Sequence, residues 1–268
     1  MGTLELIVVA LPSFVILYVL AWALCSMVKD VTPIDGIWPL SLLLAAAIGF
    51  GLGQGDEDRR ALLLCCIGLW GLRLAWHMLS RWWREGQEDK RYAVMREEDP
   101  ETFGRRSLVM VFGLQALASF VVAFPIFVVM GALPEAKMGL LDDVAFVIIA
   151  VGLTLEIAAD HQLHNFRKNP ENEGTLLVTG LWAFTRHPNY LGEAVFWWGI
   201  WLLAASVGWL GIMSIVSPLL ITGLLVFGTG KPMLEKYLAE KEGWADYAAR
   251  VPGFLPFKLG KKMEKIEA

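Results

Sequence analysis

The chain has 268 residues, 56% of them apolar and only 19% charged, with a net charge of -4. A soluble domain charges about a quarter of its residues, so this balance, with a mean hydropathy of +0.53, excludes a disordered chain and points to a bilayer as solvent. A pI near 5.6 provides no basic field for nucleic acid, and no nucleic-acid partner is expected. Cys25, Cys65 and Cys66 all lie in apolar runs, which supports neither a disulfide framework nor a zinc site, and no metal is expected.

Runs able to cross about 30 Å of hydrocarbon at about 1.5 Å per helical residue lie near 4–28, 37–53, 61–80, 108–130 and 143–163. The first is too long for a signal peptide and lacks a basic n-region and a small-residue cleavage site, so it is expected to stay in the fold. Residues 194–230 carry no charge, and as one helix they would measure about 55 Å, too long for a single span. Ser206-Val207-Gly208 is the natural turn and yields spans near 190–205 and 209–228, seven in all. Lys and Arg accumulate on the cytoplasmic side of membrane proteins. Seven spans place 19 of them on one side and three on the other, with Arg73 inside a span. The expectation is an all-α integral membrane protein, one domain over 1–268, with the N-terminus outside and the C-terminus in the cytoplasm. Its cytoplasmic pieces are 81–107, 164–189 and 231–268.

Ionisable groups within apolar spans default to a functional reading. Arg73 and His77 lie four apart, as do Glu156 and Asp160, and Glu193 opens the sixth span. Each alone reads equally well as a helix-to-helix pair, whereas five in one bundle favour a polar interior cavity. The densest string is Thr185-Arg186-His187-Pro188-Asn189-Tyr190-Leu191-Gly192-Glu193. Proline suits a first helical turn, and helix N–H groups there face a would-be anion beside an Arg, a His, an Asn and a Tyr. An interfacial anchor would account for Arg186 and Tyr190 but gives Asn189 and Glu193 no task. Gly49-Phe50-Gly51-Leu52-Gly53 follows no strand, so it reads as small-residue helix packing and not as a dinucleotide loop. Gly228-Thr229-Gly230-Lys231 lacks P-loop spacing, although Lys231 is placed where a phosphate could use it. Four histidines in the whole chain argue against a di-iron centre built on His161 and His164.

The 186–193 string, with Asp160 and Arg167-Lys168 upstream and Asp246-Tyr247 through Leu255-Pro256-Phe257 at the end, resembles the C-terminal domain of the steroid 5-alpha-reductase family. Adding Arg73, Arg81 and Asp89-Lys90-Arg91-Tyr92, the pattern looks like the bacterial branch of that superfamily over most of residues 30–257. Sterol reductases share the Asn-Tyr-Leu-Gly-Glu segment, while isoprenylcysteine carboxyl methyltransferases share an Arg-His-Pro and a similar ending yet bind S-adenosylmethionine. The resemblance implies a seven-helix, monomeric, multi-pass protein of the bacterial inner membrane whose cofactor site faces the cytoplasm. It implies that NADPH reduces the carbon–carbon double bond of a lipophilic enone, a 3-oxo-4-ene steroid or related isoprenoid, with membrane lipid as the other partner. It assigns Asn189 and Glu193 to the nicotinamide side. Arg91, Tyr92, Asp160, His164, Arg167, Lys168, Arg186, His187, Tyr247 and Arg250 match or neighbour its cofactor positions. Asp35, Tyr190 and Glu193 are the catalytic candidates. The steroid enzymes carry a Glu near the place of Asp35 and a Tyr in the place of Trp70; with Trp there, Asp35 itself is the candidate donor to the enone oxygen. Asp35-Gly36 before an apolar run also reads as a helix N-cap. The alternative function is a membrane methyltransferase using S-adenosylmethionine. A transporter is disfavoured by the lack of an internal repeat.

Overall fold

The structure, a computed structural model, describes residues 1–134 and 136–257. Lys258, Lys261, Lys262 and Lys265, counted above among the cytoplasmic charges, lie outside the described residues. Among the described residues every regular element is helical. Five stretches are long and apolar enough to cross a membrane: Thr3–Val28, Ile34–Leu52, Glu57–Glu85, Phe103–Val122 and Trp209–Leu238. The architecture is that of an integral membrane protein. It divides into two compact units, residues 1–143 with 200–217, and 144–199 with 218–268.

The first unit opens with α1 (Thr3–Val28), α2 (Ile34–Leu52) and α3 (Glu57–Glu85). The closest pairing is α2 against α3, where Gly36 lies under Leu79 and Gly71 lies on the Pro39 carbonyl. Asp56 caps α3 by accepting from the Arg59 amide at 3.2 Å, the preferred chemistry for that position. Arg59, 1% exposed, is bound at 2.7 Å to Asp142, and Ser206 donates to the same carboxylate at 2.9 Å. A buried ion pair persists when its remaining hydrogen-bonding capacity is met; here the Ala136 and Lys137 carbonyls also accept from the guanidinium. Tyr18 donates to Ser119 at 2.9 Å in the apolar interior. Gly49 and Gly53 leave no room for a Cβ against Met130, while Gly51 faces open space, so two of the three glycines act as close-packing positions.

A short helix, α4 (Lys90–Glu98), follows, capped by Asp89. The expected single run 108–130 is broken into α5 (Phe103–Ser107), a π-helical turn at Leu108–Gly113, α6 (Leu114–Val122) and α7 (Phe124–Met130). Pro125 causes the second break, because it has no N–H to continue the ladder and suits a first turn. The expected turn at 206–208 is present: α9 (Pro188–Ala205), which follows α8 (Leu140–Lys168), stops before Gly208 at φ 123°, and α10 (Trp209–Met213) begins after it. The seventh run is likewise broken, with Pro218 in the first turn of α11 (Val216–Phe227).

In the second unit α8 and α9 approach closely because Gly152, Gly192 and Gly199 have no side chains. A Cβ on Gly192 would meet the Glu156 backbone, and one on Gly152 the Phe196 backbone. Small residues that let helix backbones touch are the membrane-protein solution to packing without a hydrophobic drive. Two short helices, α12 (Lys231–Leu238) and α13 (Trp244–Arg250), close the unit.

Candidate functional site

Two groups of sequence-predicted residues assemble, each within its own unit. In the first, Asp35 lies in the first turn of α2, whose N-cap is Pro33. The cap reading is therefore corrected. The Asp35 carboxylate accepts from Tyr92 Oη at 2.8 Å and from Arg91 Nη2 at 2.5 Å, because α4 is held beside the α1–α2 connection. That connection is laced to it: Glu88 accepts from the Val31 amide and from Arg96, and Thr32 Oγ1 accepts from the Asp89 amide. Asp30 accepts from the Trp82 indole at 2.7 Å. Asp89 in turn accepts from the Arg91 side chain and backbone amide. Burial alone would push Asp89 up, but these bonds, with the charges of Arg91 and Arg81, outweigh it and hold the carboxyl below the usual carboxylate range. Burial and the neighbouring Asp35 charge drive the Tyr92 hydroxyl far above its ordinary value, so it stays protonated and donates.

In the second unit Asn189 Nδ2 donates to Asp160 Oδ1 at 3.1 Å, joining the start of α9 to α8 across the glycine seam. Glu193 lies one turn along α9. Tyr190 stacks on His187 with centroids 5.3 Å apart. His187 is fully buried and its Nε2 lies 3.0 Å from Glu235 Oε1; burial lowers its pKa against the pull of that carboxylate. Arg186 donates to the same oxygen at 2.9 Å and to the Ala248 and Val251 carbonyls. Thr185 Oγ1 donates to the Phe254 carbonyl at 2.7 Å. The Thr-Arg-His part of the string thus pins the C-terminal segment within the protein.

Below it a cavity of about 450 Å³ is lined by Arg167, Lys168, Asn169, Asn172, Arg186 and Lys241, and by Leu163, Phe166, Leu176, Leu177, Trp182, Leu234, Leu238 and Tyr247. Tyr247 donates to the Trp182 carbonyl at 2.7 Å, and burial pushes its hydroxyl up to about 12. Gln162 accepts from the Leu181 amide and holds this wall to α8. Among the cofactor candidates, Arg167, Lys168, Arg186 and Tyr247 line the cavity, whereas Asp160, His164, His187, Asn189 and Glu193 do not. Arg250 is exposed and bonds the Asp246 carbonyl. Sequence reasoning passed over Glu235, Lys241, Trp182 and Gln115. Glu235 had no local signal, since its partners lie 48 and 49 positions away.

A family profile described as a protein of unknown function, DUF1295, matches residues 21–251. An uncharacterised protein of Schizosaccharomyces pombe is 26% identical over 248 residues, covering 80% of this chain and 72% of that one. A Delta(14)-sterol reductase of Arabidopsis thaliana is 33% identical over 122 residues, 39% of this chain and 30% of that protein. A probable O-methyltransferase of Ustilaginoidea virens is 40% identical over 70 residues, 26% of this chain and 24% of that protein. The match therefore spans less than a third of the reductase and of the methyltransferase. No solved structure matches.

Proposed function

The chain belongs to the DUF1295 family, and we propose that it is an NADPH-dependent membrane reductase of the carbon–carbon double bond of a lipophilic enone, a 3-oxo-4-ene steroid or related isoprenoid. We also propose seven spans, an outer N-terminus and a cofactor site facing the cytoplasm. The observation that carries the reading is the cavity in the second unit. Arg167, Lys168 and Lys241 surround it with cations for phosphate groups, while Leu163, Phe166 and Trp182 give it an apolar wall for a flat ring. Such a mixed donor set fits a dinucleotide. The distant likeness to a Delta(14)-sterol reductase favours reduction of a double bond in a sterol-like molecule.

When bound, NADPH supplies a hydride. The chain's own residues supply orientation and the proton. Asn189, fixed by Asp160, and Glu193 one turn later offer an amide and a carboxylate to the nicotinamide side. Arg186 and His187 act on the site through the C-terminal segment they hold. As negative charge gathers on an enone oxygen, a donor aimed at it lowers the barrier. Asp35 is the residue we assign as that donor; its carboxylate accepts from Tyr92 and Arg91 and must take up a proton to serve.

A second reading, an S-adenosylmethionine-dependent methyltransferase, is favoured by the 40% identity to the probable O-methyltransferase. The same cavity would then take an adenosine. Thermal-shift titration of the detergent-solubilised protein with both ligands decides between them. We expect stabilisation by NADPH; stabilisation by S-adenosylmethionine alone overturns the reductase reading.

A further inference from the structure

The cavity of the second unit and the Asn189–Asp160 contact share one helix. On α8, Asp160 comes before the cavity-lining residues Leu163, Phe166, Arg167 and Lys168. Asp160 and Arg167 are seven positions apart, about 10 Å along the helix axis. The cavity volume of about 450 Å³ falls near the lower end of the about 300–1,000 Å³ that holds one drug-sized ligand, whereas a dinucleotide is two nucleotides joined end to end. We propose that the cavity takes the adenosine half of NADPH alone, and that Lys241 reads its 2′-phosphate and so selects NADPH over NADH. The inference rests on the reductase reading, in which Asn189 and Glu193 face the nicotinamide half.

The charges of the lining point to a phosphate. Arg186 is offset by Glu235 at 2.9 Å. The other charged lining residues are Arg167, Lys168 and Lys241 against Glu173, an excess of two positive charges. Such an excess attracts an anion, and the 2′-phosphate, a monoester of about −1.5 to −2 charge at neutral pH, is the most highly charged group on the cofactor. The pyrophosphate must lead back towards Asp160, which gives it to Arg167 on α8. Lys241 stands apart from that helix: it lies between α12 and α13, and its Nζ donates to the carbonyl of Thr175, in the loop that follows α8. The Lys241 amide donates to the Leu238 carbonyl, and its own carbonyl accepts from the Trp244 amide, so the backbone is held while the side chain can turn. The Nζ contact with Thr175 is 3.4 Å long and made to a neutral oxygen, outside the about 2.7–3.2 Å of a good N–H···O bond. A phosphate oxygen is the stronger partner, and the flexible stem brings the ammonium to it at little cost. Phe166 and Trp182 supply the apolar wall for adenine.

The test is calorimetric titration of the full chain in detergent with NADPH, NADH, adenosine 2′,5′-bisphosphate and 5′-AMP. We expect the wild-type protein to bind NADPH more tightly than NADH, and the bisphosphate more tightly than AMP. Lys241→Met removes the charge and keeps the stem. It should weaken NADPH and the bisphosphate about 10- to 100-fold, the worth of one hydrogen bond to a charged group, and leave NADH and AMP unchanged. Lys241→Arg keeps the charge and should keep the preference for NADPH. Where Lys241→Met does not fold, Lys241→Gln makes the same comparison. An equal loss for all four ligands, or an undiminished preference for NADPH, overturns the role of Lys241. Binding of NADPH without binding of the bisphosphate overturns the assignment of the cavity and leaves the reductase reading standing. Binding of neither dinucleotide, or of S-adenosylmethionine alone, sinks the reductase reading and the inference with it.

Discussion

Glu235 shows how one side chain can organise a site without facing a ligand. Its Oε1 meets both Arg186 and His187, side chains that are 12% and 0% exposed, while Glu235 itself is 21% exposed. Removing the carboxylate leaves a largely buried guanidinium uncompensated, a change that costs about 3–5 kcal/mol in a dry interior. With this partial exposure we expect Glu235→Gln to lose about 2 kcal/mol, a fall of about 4–8 °C in melting temperature. An unchanged melting curve would remove Glu235 from the architecture. Asp89 offers a second check, through pH. Its carboxyl is held below its usual range in the folded protein, so its stabilisation is present above the unfolded value of about 3.9 and is lost as the pH falls through the lower folded value. Asp89→Asn should therefore melt lower than wild type at neutral pH, and the two curves should converge below about pH 4. Parallel curves down to pH 3 would contradict the assignment. At this scale the sequence was informative where partners share a short motif or a helix face. Asn189 and Asp160, both singled out beforehand, are in contact. Glu235 and Gln115 were invisible because their contacts depend on which distant segments pack together, and Asp35 read both as a catalytic acid and as a cap because capping chemistry and functional carboxylates use the same residue type.

Among the helices, length and apolar run were enough to locate the five stretches that can cross a membrane, since about 20 apolar residues admit little else in a bilayer. The interruptions were not legible. A π turn at Leu108–Gly113 carries no proline or charge to announce it, and the break after Met213 precedes its proline by several residues. Of the glycines of the α8–α9 seam only Gly192 belongs to the 185–193 motif; Gly152 and Gly199 carry no signal of their own in the sequence. Gly192→Ala tests what they do. Alanine favours a helix over glycine by about 1 kcal/mol, but here the added Cβ meets the backbone nitrogen and Cα of Glu156, which cannot swing aside. Overpacking of this kind costs about 1–3 kcal/mol, so the variant should be destabilised, and the Asn189–Asp160 contact should loosen with it. Gly223 in α11 has nothing within 4 Å of its missing Cβ, so Gly223→Ala should be neutral or stabilising by about 0.5–1 kcal/mol. Thermal melts of the two variants should move in opposite directions; a stabilised Gly192→Ala would mean the helices do not meet there.

Orientation is a property of the whole molecule, set by summed charge and not by any contact. The 19 to 3 distribution of Lys and Arg supports the orientation proposed above, with α4 and the cavity of the second unit in the cytoplasm, where a charged dinucleotide is available, and the Arg59–Asp142 pair near the outer surface. The two ends of that assignment are separately testable. Glu97 on α4 is exposed, and Gly139 faces open space just before α8, so a cysteine at either place should leave the fold intact. In a background with Cys25, Cys65 and Cys66 replaced by alanine, a membrane-impermeant maleimide applied to intact spheroplasts should label Gly139→Cys. It should reach Glu97→Cys only after permeabilisation. The reverse pattern would turn the protein over and leave the basic cavity facing away from the cytoplasmic dinucleotide pool, and the reductase reading would fall with it. Labelling of both sites in intact spheroplasts would show an even number of crossings between residues 97 and 139. The broken stretch from α5 to α7 would then enter and leave on the same face, and the charge bias, which assumes one crossing there, would no longer hold.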